Sequence, residues 1–120
     1  MKRILVVDDS RSLRQMVAYT LQQSGYEVTE AEDGVQALEF AQQNAFDLVL
    51  TDQNMPRKDG LTLIADLRRR QEFSTTPLLV LTTESGTEMK IQARAAGATG
   101  WIVKPFDPQR LIDVVTRMIG

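Results

Sequence analysis

Apolar residues run along this chain in two alternating rhythms. Five short stretches of β-forming character, RILVV (3–7), YEVTE (26–30), DLVLT (47–51), PLLVL (77–81) and GWIV (100–103), have the length and composition of strands. Between them lie longer stretches whose apolar residues recur at three- and four-residue steps, the period of an amphipathic helix. In the first of these, Leu13, Met16, Val17 and Leu21 follow that spacing, Ser10 stands where an N-cap belongs, and Gly25 closes the helix. The same pattern predicts helices over residues 34–44, 59–71, 86–96 and 108–119, with Gly97 as a second stop.

Strands and helices therefore alternate throughout. Runs 3–7, 47–51 and 77–81 are nearly all apolar, as parallel strands covered on both faces are, whereas YEVTE alternates and suits a sheet edge. Right-handed crossovers then give an α/β fold with a doubly wound parallel sheet. Such sheets bind ligands beyond the carboxyl ends of their strands, where the strand order reverses, so the topology predicts the place of a site before any chemistry is considered.

Composition narrows the chemistry. The 120 residues suit one domain spanning 1–120, large enough to bury a core without covalent staples. With no Cys there is no disulfide or thiolate, and with no His the commonest general base is missing. A net charge of -2 and an isoelectric point near 5.1 argue against nucleic acid or an anionic membrane as partner. The opening MKRILVVDD passes from two basic residues through a short apolar run into two acids, which fits neither a signal peptide nor a membrane span; the expected location is the cytoplasm. RRRQEFSTTP (68–77) reads as a helix end and loop, its three arginines in solvent near the negative end of the helix dipole.

The polar residues at the strand ends carry the candidate chemistry. Asp8 and Asp9 follow the first strand, Asp52 the third, Thr82 and Thr83 the fourth, Lys104 and Pro105 the fifth. Each has an ordinary explanation alone: a helix cap, a turn former, a β-former, a surface lysine. Together they share one sheet edge. Three carboxylates so close repel one another, and a divalent cation is the natural compensation. Oxygen donors without His or Cys point to Mg²⁺, or Mn²⁺, with Asp9 and Asp52 as direct ligands, Asp8 acting through water and Asn54 offering its backbone carbonyl. With its charge screened, Asp52 can attack a phosphoryl group to form an acyl phosphate, while Lys104 and the Thr82 hydroxyl meet phosphoryl oxygens.

VVDDS (6–10), DLVLTDQNMPRKDG (47–60), LTT (81–83) and VKPF (103–106), in this order and spacing, resemble the response-regulator receiver domain over essentially the whole chain. The resemblance implies a flavodoxin-like sheet of order 2-1-3-4-5 between five helices. It implies phosphorylation of Asp52 by a histidine kinase, Mg²⁺ organised by Asp8, Asp9, Asp52 and the Asn54 carbonyl, and phosphate sensing by Thr82 and Lys104. The chain looks like a stand-alone, monomeric chemotaxis regulator of the CheY type, a switch rather than an enzyme, whose target docks on helix 4, strand 5 and helix 5 and which a phosphatase can reset. Pilus control, a phosphate sink and an unphosphorylated scaffold are the alternatives within the fold. Three departures stand out: Trp101 where the family has a switching Tyr or Phe, a single lysine, Lys90, in SGTEMK (85–90), and Thr83 where a smaller residue is usual, which is expected to narrow access to Asp52. Two other classes fit less well. A phosphatase with an aspartyl intermediate wants a D-x-D pattern on strand 1, and a flavin carrier wants glycine in the loop that here reads DDSRSL.

Overall fold

The computed structural model describes all of residues 1–120. Five strands, β1 (Arg3–Val7), β2 (Glu27–Ala31), β3 (Leu48–Asp52), β4 (Leu78–Thr82) and β5 (Gly100–Val103), alternate with α1 (Arg11–Gln23), α2 (Gly34–Gln43), α3 (Gly60–Arg68), α4 (Thr87–Ala96) and α5 (Pro108–Ile119). The strands pair in parallel in the order β2-β1-β3-β4-β5, the order that the resemblance implies. YEVTE does form an edge. No helix is long and apolar enough to cross a membrane.

The period of two along each strand divides the core into two halves. Ile4 and Val6, Leu48 and Leu50, and Leu79 and Leu81 face α1 and α5, packing on Val17, Leu21, Leu111 and Val115. Leu5 and Val7, Val49, and Leu78 and Val80 belong to the other half, with Ala37 and Ala41 of α2, Leu63, Ile64 and Leu67 of α3, and Met89 and Ala93 of α4. Both faces are thus covered, which is why the central strands read as unbroken apolar runs. The helix caps are local and chemical: the Ser10 hydroxyl accepts from Leu13 N at 3.4 Å, and the carboxylates of Asp33, Asp59 and Asp107 accept from Gln36, Thr62 and Arg110.

The structure departs from the pattern in four places. Strands β2, β3 and β4 each lie one residue further along than the apolar runs suggest, and Asp52 and Thr82 are the last residues of their strands, the strand-end position expected of them. In α1 the buried residues are Val17, Ala18 and Leu21, while Met16 is exposed at the edge of the apolar stripe. Helix α2 stops at Gln43, and Asn44 is its extended C-cap.

The fourth departure is the end of α3. The helix stops at Arg68, and a single 3-10 turn, Gln71–Phe73, carries Phe73 into the core. Arg68 is not a solvated terminus. Its guanidinium is half-buried and donates to the carbonyls of Gly97 (2.8 Å), Phe73 (2.6 Å) and Thr76 (2.8 Å) and to the Thr99 hydroxyl (3.1 Å). That fork ties α3 to the starts of β4 and β5 and to the C-terminal stop of α4.

Candidate functional site

The register of the parallel sheet places the candidate residues. Val7 lies opposite Thr51, which brings Asp8 level with Asp52. Asp52 lies opposite Leu81, so Thr82 is one step beyond it, and Thr82 lies opposite Val103, so Lys104 follows in turn. One carboxylate oxygen from each of Asp8, Asp9 and Asp52 falls within 4.8 Å of the others. Asp8 and Asp52 are buried, 2% and 4% exposed, whereas Asp9 is open to solvent.

Asp52 is held by an ion pair between its Oδ1 and Lys104 Nζ, with both side chains largely buried. Its own carbonyl accepts from the Thr51 hydroxyl at 2.9 Å. Gly60, at the start of α3, lies so close that a Cβ there would overlap this same carbonyl oxygen. Only glycine lets α3 begin against the end of β3.

Asp8 is placed differently. Oδ1 accepts from Ser10 N at 2.9 Å, but Oδ2 is buried with no hydrogen-bond partner. Burial pushes its carboxyl up to about 6, with the charges of Asp52 and Asp9 adding to the effect and the Ser10 hydrogen bond and Lys104 opposing it. An orphaned carboxylate oxygen beside two other carboxylates is what a hard cation satisfies, directly or through a water of its shell. The donor set is all oxygen. The residues present therefore fit Mg²⁺.

Thr82 is buried, and its hydroxyl accepts from Glu84 N at 3.0 Å, which leaves its proton free for another acceptor. Thr83, Pro105 and Lys104 line a groove with Leu13, Met16 and Phe106. Asn54 is exposed on the loop two residues past Asp52. Trp101 is half-buried on β5 and packs on the α4 side of the core.

Sequence reasoning missed several supports. Arg57, with φ 69°, pairs with the buried Asp33 and so joins the loop after Asp52 to the start of α2. The Gln36 backbone N–H foremost, with Arg57, holds the Asp33 carboxyl below the usual range. Lys58 pairs with Asp66 and lies over Gly34. Arg14 donates to the Asp8 carbonyl and to Glu30. Only Asp33 and Gly60 carried a local signal, the D-G that begins a helix; the pairs of Arg57 with Asp33 and Arg14 with Glu30 join different elements and leave no pattern in the chain.

Fold and cleft together define a parallel α/β protein with clustered carboxylates and one lysine at the sheet's carboxyl edge. The response regulator receiver domain matches residues 4–116, and the chain belongs to that family, as a receiver of the CheY type. It is 43% identical over 120 residues to chemotaxis protein CheY1 of Helicobacter pylori, covering 98% of this chain and 97% of that one. A CheY homologue of Campylobacter jejuni is 38% identical over 98% of this chain and 92% of its own. Among solved structures, Vibrio cholerae CheY4 superposes with a TM-score of 0.95 at 47% identity, covering 98% of both chains. The receiver domain of the sensor histidine kinase PA1611 from Pseudomonas aeruginosa, with magnesium coordinated in its active-site cleft, gives 0.90 at 28% identity, over 99% of this chain and 98% of that one. Receiver domains of this family take a phosphoryl group from histidine kinases and bind Mg²⁺ in the active site.

Proposed function

We propose that residues 1–120 work as one cytoplasmic, monomeric phosphorylation switch, with Asp52 as the phosphoacceptor and chemotaxis as its pathway. The observation that carries this reading is the orphaned, buried Asp8 Oδ2 beside Asp52, whose own carboxylate is paired with Lys104. Asp8, Asp9, Asp52 and the Asn54 carbonyl would hold Mg²⁺, with Mn²⁺ as a substitute. When bound, the ion neutralises phosphoryl oxygens and screens the Asp52 charge.

Asp52 then attacks the phosphorus of the phosphohistidine of a kinase. A carboxylate O–P bond forms as the P–N bond breaks, and the histidine leaves as neutral imidazole once protonated. Lys104, already on Asp52, shifts to a phosphoryl oxygen and supplies a flexible point charge. Thr82 turns its hydroxyl to a third oxygen and releases Glu84 N, so the exposed segment 83–86 follows. Two or three charge-assisted hydrogen bonds, at roughly 1.5–3 kcal/mol each, supply the several kcal/mol that such a population shift needs.

The face of α4, β5 and α5 is the output surface, where Ile91 and Val103 are exposed and Trp101 is half-buried. Trp101 packs against the core beside α4, so its ring responds to movement of that helix. Phosphoryl uptake and hydrolysis at its own aspartate, aided by a phosphatase, are the only chemistry assigned to the chain. Thr83 borders the cleft with Lys104 and Pro105, where it limits the approach of water. Intact-mass measurement after incubation with acetyl phosphate and Mg²⁺ tests the reading: the wild type gains one phosphoryl mass and Asp52→Asn gains none. A wild-type mass that never changes overturns it.

A further inference from the structure

We infer that Arg14 is a positioning residue for the metal ligands Asp8 and Asp9, acting from behind the peptide that joins them; this rests on the reading of the cleft as a cation site. Strand pairing ends at Val7, so the next two residues need other anchors if their carboxylates are to meet Asp52. Asp8 has two. Its N–H donates to Ala31 O at 3.1 Å, the last residue of the edge strand β2. Its carbonyl oxygen, in the peptide that leads to Asp9, accepts from Arg14 Nη1 at 2.8 Å.

Arg14 in turn is held by the residue before Ala31. Its Nε donates to Glu30 Oε1 at 3.0 Å, and its side chain is only 14% exposed. Both ends of the Asp8 residue are thus referred to the same two residues of β2: the N–H directly to Ala31, the carbonyl through the guanidinium to Glu30. The planar fork suits this because one rigid group reaches two acceptors in fixed directions. Asp9 is exposed, so the direction of its side chain follows from the turn that Arg14 fixes. Removing the fork leaves the Asp8–Asp9 peptide free to rotate, and the three carboxylates lose their common focus.

Groups that orient metal ligands from behind typically cost about 10–100-fold in affinity when removed. The test compares Mn²⁺ dissociation constants, measured by electron paramagnetic resonance, for wild type, Arg14→Met, Arg14→Lys and Glu30→Gln. Urea stability is measured in EDTA alongside. Arg14→Met is expected to weaken Mn²⁺ about tenfold, near the lower end of that range, and Glu30→Gln by less, because Arg14 stays on the Asp8 carbonyl. Arg14→Lys recovers part of the loss, and the double variant Arg14→Met with Glu30→Gln is no weaker than Arg14→Met. Arg14→Met with a dissociation constant within about twofold of wild type, whatever its stability, overturns the inference, since a merely structural arginine lowers stability and leaves affinity alone. Should Arg14→Met fail to fold, Arg14→Gln takes its place, and a dissociation constant within about twofold of wild type counts against the proposal. Wild type that binds no Mn²⁺ overturns the cation site itself, an outcome separate from any difference among the variants.

Discussion

Replacing Asp8 by Asn should make the metal-free protein more stable while destroying its use as a switch. Burial and neighbouring carboxylates raise the Asp8 carboxyl from 3.8 to about 6 in the folded chain. A folded value above the unfolded one means that folding favours the protonated acid. Asp8 therefore costs least below about pH 3.8, and stability falls as pH rises through 6. A shift of roughly two units corresponds to about 3 kcal/mol as an upper figure, and 1–3 kcal/mol is the expected range. Asn cannot ionise. Its carbonyl keeps the Ser10 N–H bond, and its amide offers a donor where Asp8 Oδ2 has no partner. Urea unfolding followed by circular dichroism in EDTA should show Asp8→Asn stabilised by about 1–3 kcal/mol at pH 7.5, roughly 4 °C in Tm per kcal/mol for a chain of this size. Near pH 4 the advantage should shrink to about half a kcal/mol. Millimolar Mg²⁺ should narrow the gap by stabilising wild type more than the variant. Equal stabilities at pH 7.5, or an offset of the same size at pH 4 and 7.5, would refute the reasoning.

Other perturbations probe the supports. Gly60→Ala forces a Cβ onto the Asp52 carbonyl, so unfolding should cost about 1–3 kcal/mol less and acetyl phosphate should modify the variant more slowly. Arg68→Met strands three carbonyls, while the Thr99 hydroxyl keeps its bond from Leu78 N; a loss of about 2–4 kcal/mol is expected in urea, with Mn²⁺ affinity unchanged because the clamp sits at the amino-terminal end of β4 and β5. Asp33→Ala removes the α2 cap and should cost about 1 kcal/mol at pH 7. Since the Asp33 carboxyl is held below its ordinary value, its contribution is present above pH 3.8 and disappears as pH falls through the folded value, so the two proteins should converge in strong acid. Thr82→Ala should still accept phosphate, but hydrogen exchange in residues 83–86 should no longer respond to it.

The sequence made the order of elements and the location of the cleft legible because both follow from local rules. Apolar runs of strand length, helical spacing and Gly at positive φ (Gly25, 95°; Gly97, 99°) are readable one segment at a time. The carboxyl-edge rule then gathers Asp8, Asp9, Asp52, Thr82 and Lys104 without knowledge of any distance. What escaped was the long-range polar framework. Arg14 with Glu30, Arg57 with Asp33, and Arg68 with carbonyls up to 29 residues away leave no periodic trace. Arg68 misled in particular, because an arginine at a helix end has a good reason to be in solvent. Here the carbonyls of Phe73, Thr76 and Gly97 hold it instead. Met16 misled for the opposite reason: its spacing is helical, yet the contact of α1 with the sheet is narrower than the apolar stripe.

The Arg68 fork has a mechanical consequence for α4. At its tail the helix is bolted down, with Gly97 in the left-handed conformation and its carbonyl gripped by the guanidinium. At its head no side chain caps the first turn, and the approach through residues 83–86 is exposed. A rod pinned at one end can only swing. Displacement begun beside Thr82 is therefore largest at Thr87 and dies away toward Ala96, which makes the leading turns of α4 the pointer and Gly97 its pivot.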